Sequence, residues 1–243
     1  MSTRAIILAA GSGSRLMPYT EGRPKGMVAL AGQPLLERQI ATLRQAGITE
    51  ITLVGGYQAW QLERFNCPIV LNPDYASTNM VASLHNAEAL FDGSSDLVIC
   101  YSDIVYDPAV LSALLAGQGE ITVAADKNWQ SLWQARMEDP LSDAESFRLN
   151  ADGCIAELGR KVADISEIEG QYIGLIRVSA AVQNRFFELY YSLDKSLSYE
   201  GQPFNNLYLT GYLQMLIESG WSLKPAWIEN GWLEIDTVGD LQI

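Results

Sequence analysis

Short apolar runs alternate with helical patterns through the first half of the chain, and this alternation limits the folds open to it. Apolar strands are predicted over residues 5–9, 51–54, 68–71, 97–101 and 121–125. Apolar residues recur at helical spacing over residues 34–46, 80–91 and 109–115. Strands that alternate with helices build a mostly parallel sheet covered on both faces. The sequence therefore predicts an α/β fold.

The second half of the chain is less regular. Strands are predicted over residues 146–149, 154–158, 172–178, 223–227 and 232–235, and helices over residues 180–193 and 206–218. Several of these strands follow one another without a helix between them, which indicates a mixed extension of the sheet. The chain shows no internal repeat, low-complexity stretch or linker. We therefore expect a single domain over residues 1–243.

Composition narrows the classes of partner. The formal net charge of −13 argues against nucleic acid or an anionic membrane surface as the main partner. The three cysteines, Cys67, Cys100 and Cys154, form no metal-binding motif and fit a reducing compartment. No apolar stretch has the length of a membrane span, and the apolar run at the start is too short for a signal peptide. We expect a cytoplasmic protein.

A glycine-rich turn begins where the first strand ends. The residues of this turn and of the strand end are Leu8, Ala9, Ala10, Gly11, Ser12, Gly13 and Ser14. The two glycines permit positive φ and let backbone N–H groups approach a polyphosphate. Arg15 can donate a fork of hydrogen bonds to phosphate oxygens, and Lys25 adds a second charge after Pro18 and Pro24. The Walker A pattern is absent, and Leu16 stands where the dinucleotide fingerprint needs glycine.

The pattern L-A-A-G-x-G-S-R-L-x-P followed by P-K resembles the signature of the nucleoside-triphosphate transferases. This family includes the sugar-1-phosphate nucleotidyltransferases and the CTP:phosphocholine cytidylyltransferases, and the resemblance extends over nearly the whole chain. It implies a Rossmann-like three-layer α/β/α fold of the glycosyltransferase-A type, with a mostly parallel mixed sheet. It also implies that the glycine-rich loop binds a triphosphate and that Arg15 and Lys25 contact it.

Two acidic positions are candidates for a metal site. Asp103 follows the strand over residues 97–101, and Glu234 and Asp236 alternate along the last predicted strand. Carboxylates at the carboxyl end of a parallel strand lie in the crevice where α/β proteins bind ligands. The family pattern matches Asp103 and Asp236 as the ligands of Mg²⁺, with Glu234 as a supporting or solvated acid. The alternative is that these are surface acids near strand ends.

The nucleobase is expected near the second strand. Gly56 and Tyr57 follow this strand, and Asn79 and Ser83 lie four residues apart on one helix face. The resemblance to cytidylyltransferases implies that Asn79 and Ser83 contact cytosine, and we place Ser102 in the same nucleotide site. The alternative for Asn79 is a plain helix cap.

The acceptor is expected to bind the second half of the chain. The candidate residues are Lys127, Trp129, Trp133, Lys161, Glu169 and Tyr172, with Arg160 as a further cation. The two tryptophans form either an aromatic wall or part of a helix core. These segments resemble the cytidylyltransferases of capsule and surface-polymer decoration more than the hexose-1-phosphate enzymes, whose E-x-K-P motif is missing. The resemblance divides the domain into a nucleotide-binding half over residues 1–125 and an acceptor-binding half over residues 126–243.

The expected activity is transfer of CMP from CTP to a small phosphorylated metabolite, with Mg²⁺ as cofactor and pyrophosphate as the second product. Phosphoglutamine, phosphocholine or a phosphonate are the acceptors that the resemblance implies, for capsule or surface-polymer decoration. A hexose- or heptose-1-phosphate nucleotidyltransferase is the alternative enzyme. A catalytically silent nucleotide-binding regulator is the alternative from another class. The expected partners are CTP and the acceptor, not nucleic acid or membrane, and a homodimer is compatible with the sequence.

Overall fold

A computed structural model of the chain describes residues 2–242. It contains the strands Thr3–Ala9 (β1), Ala29–Leu30 (β2), Gln33–Pro34 (β3), Ile51–Gly55 (β4), Ile69–Leu71 (β5), Asp96–Tyr101 (β6), Ile104–Tyr106 (β7), Ile121–Asp126 (β8), Glu145–Leu149 (β9), Ile155–Lys161 (β10), Gln171–Val178 (β11), Ser198–Tyr199 (β12), Gln202–Pro203 (β13), Leu223–Ile228 (β14) and Trp232–Glu234 (β15). The α-helices are Leu35–Gln45 (α1), Met80–Asn86 (α2), Pro108–Ala116 (α3), Trp129–Arg136 (α4), Glu188–Ser192 (α5) and Leu209–Glu218 (α6). Short 3₁₀ helices occupy several of the connections.

The central sheet has seven strands in the order β14-β8-β11-β6-β1-β4-β5. Strand β11 pairs antiparallel with β6 and with β8, and the other neighbouring strands pair parallel. The sheet is therefore mostly parallel but mixed, as the sequence predicts. Its strands are apolar on both sides because both faces are covered.

Two apolar layers sandwich the sheet. One side packs α1, α3 and α4 against residues such as Ile7 and Cys100. The other side packs α2 and α6 against residues such as Ile6 and Ile99. Neighbouring residues of one strand thus enter different cores, which is the alternation that a pleated strand imposes. The three-layer α/β/α prediction is confirmed.

A small two-stranded pair brings distant parts of the chain to the carboxyl end of β6. Strand β7 follows β6 after a short turn and pairs antiparallel with β15, with Ile104 opposite Glu234. The amide N–H of Ile235 then donates to the carbonyl of Asp103 over 2.8 Å. This pairing places the segment after β15 beside the end of β6.

Two predicted helices are broken in the structure. The helix predicted over residues 80–91 ends at Asn86 and continues as a 3₁₀ turn over Glu88–Leu90, where Arg4 Nη2 donates to the carbonyl of Leu90. The helix predicted over residues 180–193 divides into a 3₁₀ helix Ala180–Arg185 and α5. Phe186 and Phe187 form the turn between these two helices, and both are buried in one core. No helix in the part of the chain that the structure describes is long and apolar enough to span a bilayer.

Candidate active site

The glycine-rich turn leaves β1 and folds back against the segment that carries Lys25. Gly13 has φ 64° and accepts a hydrogen bond from Thr20 Oγ1 over 2.8 Å. A Cβ atom on Gly13 would lie 2.8 Å from Lys25 Cγ. Glycine is therefore required twice, for the left-handed backbone and for the passage of the lysine stem. Leu16 is fully buried and anchors the far side of the loop.

Two basic and two acidic side chains from four segments meet at the mouth of this loop. Lys25 Nζ lies 2.5 Å from Asp103 Oδ2 and 2.5 Å from Asp236 Oδ1, and Arg15 Nη1 lies 2.6 Å from Asp236 Oδ2. Burial alone would lower the pKa of Lys25, but the two carboxylates outweigh it and hold this pKa above its ordinary value. The four residues that the sequence analysis assigns to phosphate contact and metal binding thus form one cluster, in which Lys25 bridges the acids.

The donor set at this cluster fits a hard divalent cation. Asp103 Oδ1 is buried and has no hydrogen-bond partner among residues 2–242. No group of three or more His, Cys, Asp or Glu suited to a metal is found in the same residues. Mg²⁺ commonly takes one or two carboxylates and completes its shell with phosphate oxygens and water. Asp103 and Asp236 would therefore hold such an ion together with a bound nucleotide.

A cavity of about 320 Å³ opens between the loop, α2 and the end of β6. Its lining contains these predicted residues: Leu8, Ala10, Gly11, Ser12, Gly13, Ser14, Arg15, Lys25, Asn79, Ser83, Ser102, Asp103 and Asp236. Three other predicted nucleotide residues, Ala9, Gly56 and Tyr57, are absent from this lining. The N–H of Tyr57 donates to the carbonyl of Ala10 over 3.0 Å and so holds the start of the loop.

The base end of this cavity is a hydrogen-bonded frame around α2. Asn79 caps the helix, since its side chain accepts from the N–H of Met80 over 2.9 Å. The buried Asn72 donates from Nδ2 to Ser83 Oγ and to Thr78 Oγ1, each over 2.9 Å. Asn79 therefore caps the helix, as the alternative interpretation of this residue predicts, and it also lines the cavity. Contact of Asn79 and Ser83 with cytosine stays a prediction.

Sequence reasoning missed several lining residues. Tyr75, Thr78, Met80, Tyr101 and Tyr208 also line the nucleotide-side cavity. Three of these, Thr78, Met80 and Tyr101, adjoin predicted residues, so proximity in sequence was the available signal for them. Tyr208 precedes α6 and carries no local motif. It reaches the site because the turn before α6 packs on α2, where the N–H of Asn79 donates to the carbonyl of Asn205 over 3.0 Å.

A second cavity, of about 260 Å³, adjoins the first and shares part of its wall. Both are lined by Arg15, Met80, Tyr101, Tyr208 and Asp236. The remaining wall of the second cavity is acidic and aromatic, with Trp133, Asp143, Glu145, Tyr172, Trp232 and Glu234. Arg15 and Asp236 of the four-residue cluster thus lie between the two cavities. A larger cavity of about 700 Å³ lies on another side of Trp232, between α1, α4 and the β7–β15 pair.

Glu145 is the carboxylic acid of the second cavity whose pKa is raised most. Burial, and then the neighbouring carboxylates of Asp143 and Glu234, raise the pKa of Glu145 to about 8. Arg15, at the shared wall, is the one Lys or Arg side chain in the described lining of this cavity. A positive group bound beside Glu145 would therefore lower this pKa and favour the ionised acid.

Only two of the predicted acceptor residues, Trp133 and Tyr172, reach this compartment. Trp129 is buried in the core, with its ring centroid 5.8 Å from that of Trp133.

The charged acceptor candidates lie elsewhere. Lys127 Nζ lies 4.9 Å from the ring centroid of Trp227. Glu169 accepts a hydrogen bond from the N–H of Leu149, and Lys161 is exposed at the end of β10. Arg160 is paired with Glu200 and Glu218. Acceptor binding by Lys127, Trp129, Lys161 and Glu169 stays a prediction that this geometry does not gather into one site.

Comparison with known proteins agrees with the geometry. A family model described as the MobA-like NTP transferase domain matches residues 5–165. The CTP:phosphoglutamine cytidylyltransferase of Campylobacter jejuni subsp. jejuni serotype O:2 is 38% identical, with 98% of both chains covered. The CMP-5'-(3-aminopropyl)phosphonate synthase of Streptomyces rubellomurinus is 29% identical over 98% of this chain, which spans 37% of that protein.

A solved structure carries the same fold. The structure of CTP:phosphocholine cytidylyltransferase from Streptococcus pneumoniae superposes with a TM-score of 0.72 at 22% identity, covering 100% of this chain and 97% of that one. At this level of identity the structural similarity shows a shared fold and nothing more specific. The family resemblance read from the glycine-rich loop is confirmed by the family model and by the full-length relative.

Proposed function

The chain belongs to the MobA-like NTP transferase family, and we propose that this nucleotidyltransferase moves CMP from CTP to a small phosphorylated or phosphonate acceptor carrying a cationic nitrogen. Pyrophosphate is the second product. The observation that carries this proposal is the pair of adjoining cavities that share Arg15 and Asp236. One compartment is bounded by the glycine-rich loop and suits the triphosphate. The other is acidic and aromatic and suits the acceptor.

The chemistry at the shared wall is an in-line displacement. An acceptor phosphate or phosphonate oxygen forms a bond to the α-phosphorus of CTP, and the bond from this phosphorus to the bridging oxygen breaks, so that pyrophosphate leaves. The acceptor oxygen is already ionised at neutral pH and needs no general base. Arg15 and Lys25 stabilise the charge that develops on the phosphates. An ion on Asp103 and Asp236, for which we propose Mg²⁺, would neutralise phosphate charge when bound.

The acidic end of the second cavity supports an acceptor with an ammonium group. Glu145 and Asp143 face this space, and Trp133 and Tyr172 supply aromatic walls. Carboxylates and aromatic faces both attract cations. The three relatives reported above are named for phosphoglutamine, an aminopropylphosphonate and phosphocholine, and each of these molecules carries nitrogen. An uncharged hexose would leave the acid of Glu145 without a positive partner.

The test is a pyrophosphate-release assay that crosses CTP, UTP, ATP and GTP with four acceptors. The acceptors are phosphoglutamine, 3-aminopropylphosphonate, phosphocholine and glucose-1-phosphate, each with Mg²⁺ and with EDTA. We expect CTP and a nitrogen-bearing acceptor to be preferred, activity to need Mg²⁺, and Asp103→Asn to abolish it. Preference for glucose-1-phosphate with UTP would overturn the proposal and favour the sugar nucleotidyltransferase alternative.

Three further parts of the sequence-based expectation lie beyond the reaction itself. These are the cytoplasmic location, the use of the product in capsule or surface-polymer decoration, and a homodimer. They stay predictions beside the proposed reaction. The division of the domain into halves at residue 125 likewise stays a prediction, because the two cavities share residues from both halves.

A further inference from the structure

The turn that presents Asp236 is fixed from behind by a buried carboxylate. Strand pairing holds the chain as far as Ile235, whose N–H bonds to Asp103, and β15 itself ends at Glu234. Beyond Ile235, hydrogen bonds to the side chain of Asp240 hold the backbone. Asp240 Oδ2 accepts from the N–H of Asp236 over 2.9 Å, from the N–H of Thr237 over 2.7 Å and from Thr237 Oγ1 over 3.1 Å. The backbone of Asp236 therefore depends on the position of Asp240.

Asp240 is in turn held by Arg136 at the end of α4. Arg136 Nε donates to Asp240 Oδ1 over 2.9 Å, and Arg136 Nη1 lies 2.8 Å from Glu234 Oε2. The side chains of Arg136 and Asp240 are 2% and 3% exposed, so water does not screen the pair. The planar guanidinium contacts acids on both sides of Asp236 and fixes their spacing. Neither Arg136 nor Asp240 lines the nucleotide-side cavity.

We propose that Arg136 and Asp240 are positioning residues that aim the Asp236 carboxylate at Asp103, and so set the affinity of the site for Mg²⁺. This inference rests on the proposed function. Side chains behind a ligand that orient it are worth about 10–100-fold in metal affinity or activity. The competing explanation is that the pair only stabilises the fold, as a buried hydrogen-bonded ion pair can do.

A second buried pair in the same molecule provides a matched control. Arg177 Nη1 lies 2.5 Å from Asp96 Oδ2, and Asp96 Oδ1 accepts from the N–H of Ala180 over 2.8 Å. This pair has the same chemistry, a buried guanidinium and a carboxylate that also caps a backbone N–H. It sits at the start of β6, the end of the strand opposite to Asp103. Asp96→Asn therefore removes a comparable ion pair far from the cluster.

The experiment compares Asp240→Asn, Arg136→Lys and Asp96→Asn with the unchanged chain. Thermal melts measure the stability of each variant. Calorimetry measures the affinity for Mg²⁺ in the presence of an α,β-methylene analogue of CTP. A second titration, with EDTA present, measures the affinity for this analogue without metal. We expect Asp240→Asn to weaken Mg²⁺ binding by about tenfold or more, while metal-free binding of the analogue stays within about twofold. Arg136→Lys, which keeps the charge and loses the fork, should give a smaller loss. Asp96→Asn should lower the melting temperature and leave Mg²⁺ affinity unchanged.

Each outcome is decisive. Equal Mg²⁺ affinity in Asp240→Asn and Asp96→Asn would overturn the positioning role and leave a structural pair. If Asp240→Asn does not fold, Arg136→Lys decides in the same comparison. If the unchanged chain binds no Mg²⁺ with the analogue, the proposed function fails first, and the positioning role falls with it. That failure is visible in the unchanged chain and is thus distinct from failure of this inference.

Discussion

Lys25 reaches the acidic cluster through a space that only glycine at position 13 leaves open. The lysine stem would lie 2.8 Å from a Cβ at that position, and its ammonium group contacts Asp103 and Asp236. Two residues twelve positions apart in sequence thus depend on each other for reasons of volume. The glycine-rich pattern predicts a phosphate loop, but this dependence is visible only when the loop is folded.

Gly13→Ala should therefore damage the site more than the fold. Alanine at φ 64° costs about 1–2 kcal/mol, and its methyl group must also displace Lys25. Gly22→Ala is the matched control, because Gly22 has φ 71° and nothing within 4 Å of an added Cβ. We expect Gly22→Ala to lose melting temperature for the backbone strain alone, Gly13→Ala to lose more because Lys25 must shift, and kcat to fall by about tenfold or more in Gly13→Ala alone. Equal kcat values in the two variants would show that the contact with Lys25 has no catalytic importance.

Lys25→Ala should lower both activity and stability. Removing a charged contact to the transition state costs on the order of a hundredfold in turnover. It also leaves the carboxylates of Asp103 and Asp236 without their shared cation, at a cost of about 3 kcal/mol. Lys195→Ala is the control, since Lys195 Nζ lies 5.7 Å from the ring centroid of Phe204 and lines neither cavity. Pyrophosphate release and thermal melts measure the two effects, and near-native turnover in Lys25→Ala would remove this residue from the site.

Among the secondary-structure elements, the strands of the main sheet were predicted best and the short pairs worst. Residues 5–9 and 97–101 form continuous apolar runs, so the strands β1 and β6 could be read directly. Strand β7 begins only three residues after β6 ends, and its two-stranded partner β15 comes from the far end of the sequence. A contact between segments so far apart has no local signature. For the same reason the motifs predicted Asp103 and Asp236, but not the Arg136–Asp240 pair behind them.

Helix α2 shows the limit of reading the site from motifs. Asn79 and Ser83 were predicted from the family resemblance, their spacing places both on one helix face, and both line the nucleotide-side cavity. Spacing could not separate a cap from a base contact, because Asn79 caps the helix with Oδ1 while its Nδ2 is a separate donor. The acceptor residues were harder to predict, since Lys127 lies over Trp227 and Trp129 is buried against Trp133, so that Trp133 alone of these three lines the second cavity.

Asn79→Asp separates the two roles of this residue. Aspartate keeps the oxygen that caps α2 and adds a favourable charge at the helix N-terminus, so the melting temperature should stay level or rise. It loses the Nδ2 donor, and we expect KM for CTP to rise by roughly tenfold. Asn86→Asp, at the exposed other end of α2, controls for the added charge. If KM for CTP changes equally in both variants, general repulsion rather than contact with the base explains the result.

Across the whole molecule, 29 acidic residues outnumber 16 basic ones, yet the proposed nucleotide is a polyanion. Attraction of CTP therefore depends on the local charges of Arg15 and Lys25, and both are engaged with Asp236. The global field instead favours a cationic group on the acceptor. The acidic second cavity and the charge of the whole chain thus act in the same direction.

Glu145 should make the protein less stable as pH rises. Its pKa is raised in the folded state from 4.5 to about 8, so folding binds a proton between these values and stability falls across this window. Below pH 4.5 the acid is protonated in both states and contributes nothing. Above pH 8 the full cost of a buried charge is present, and each unit of raised pKa costs about 1.4 kcal/mol. Glu145→Gln removes this cost, so its melting temperature should exceed that of the unchanged chain by a margin that grows between pH 5 and pH 8.

The same substitution, Glu145→Gln, should weaken binding of the acceptor and leave binding of CTP unchanged. An ammonium group beside Glu145 favours the ionised acid, so in the unchanged chain KM for a nitrogen-bearing acceptor should fall as pH rises toward 8. Glu145→Gln should raise this KM by about tenfold and flatten its dependence on pH, with KM for CTP unchanged. Glu157→Gln is the control, because Glu157 pairs with Arg148 outside both cavities. A variant that gains stability at pH 8 and keeps the acceptor KM would show that Glu145 is buried for packing alone, and that the ammonium group binds elsewhere.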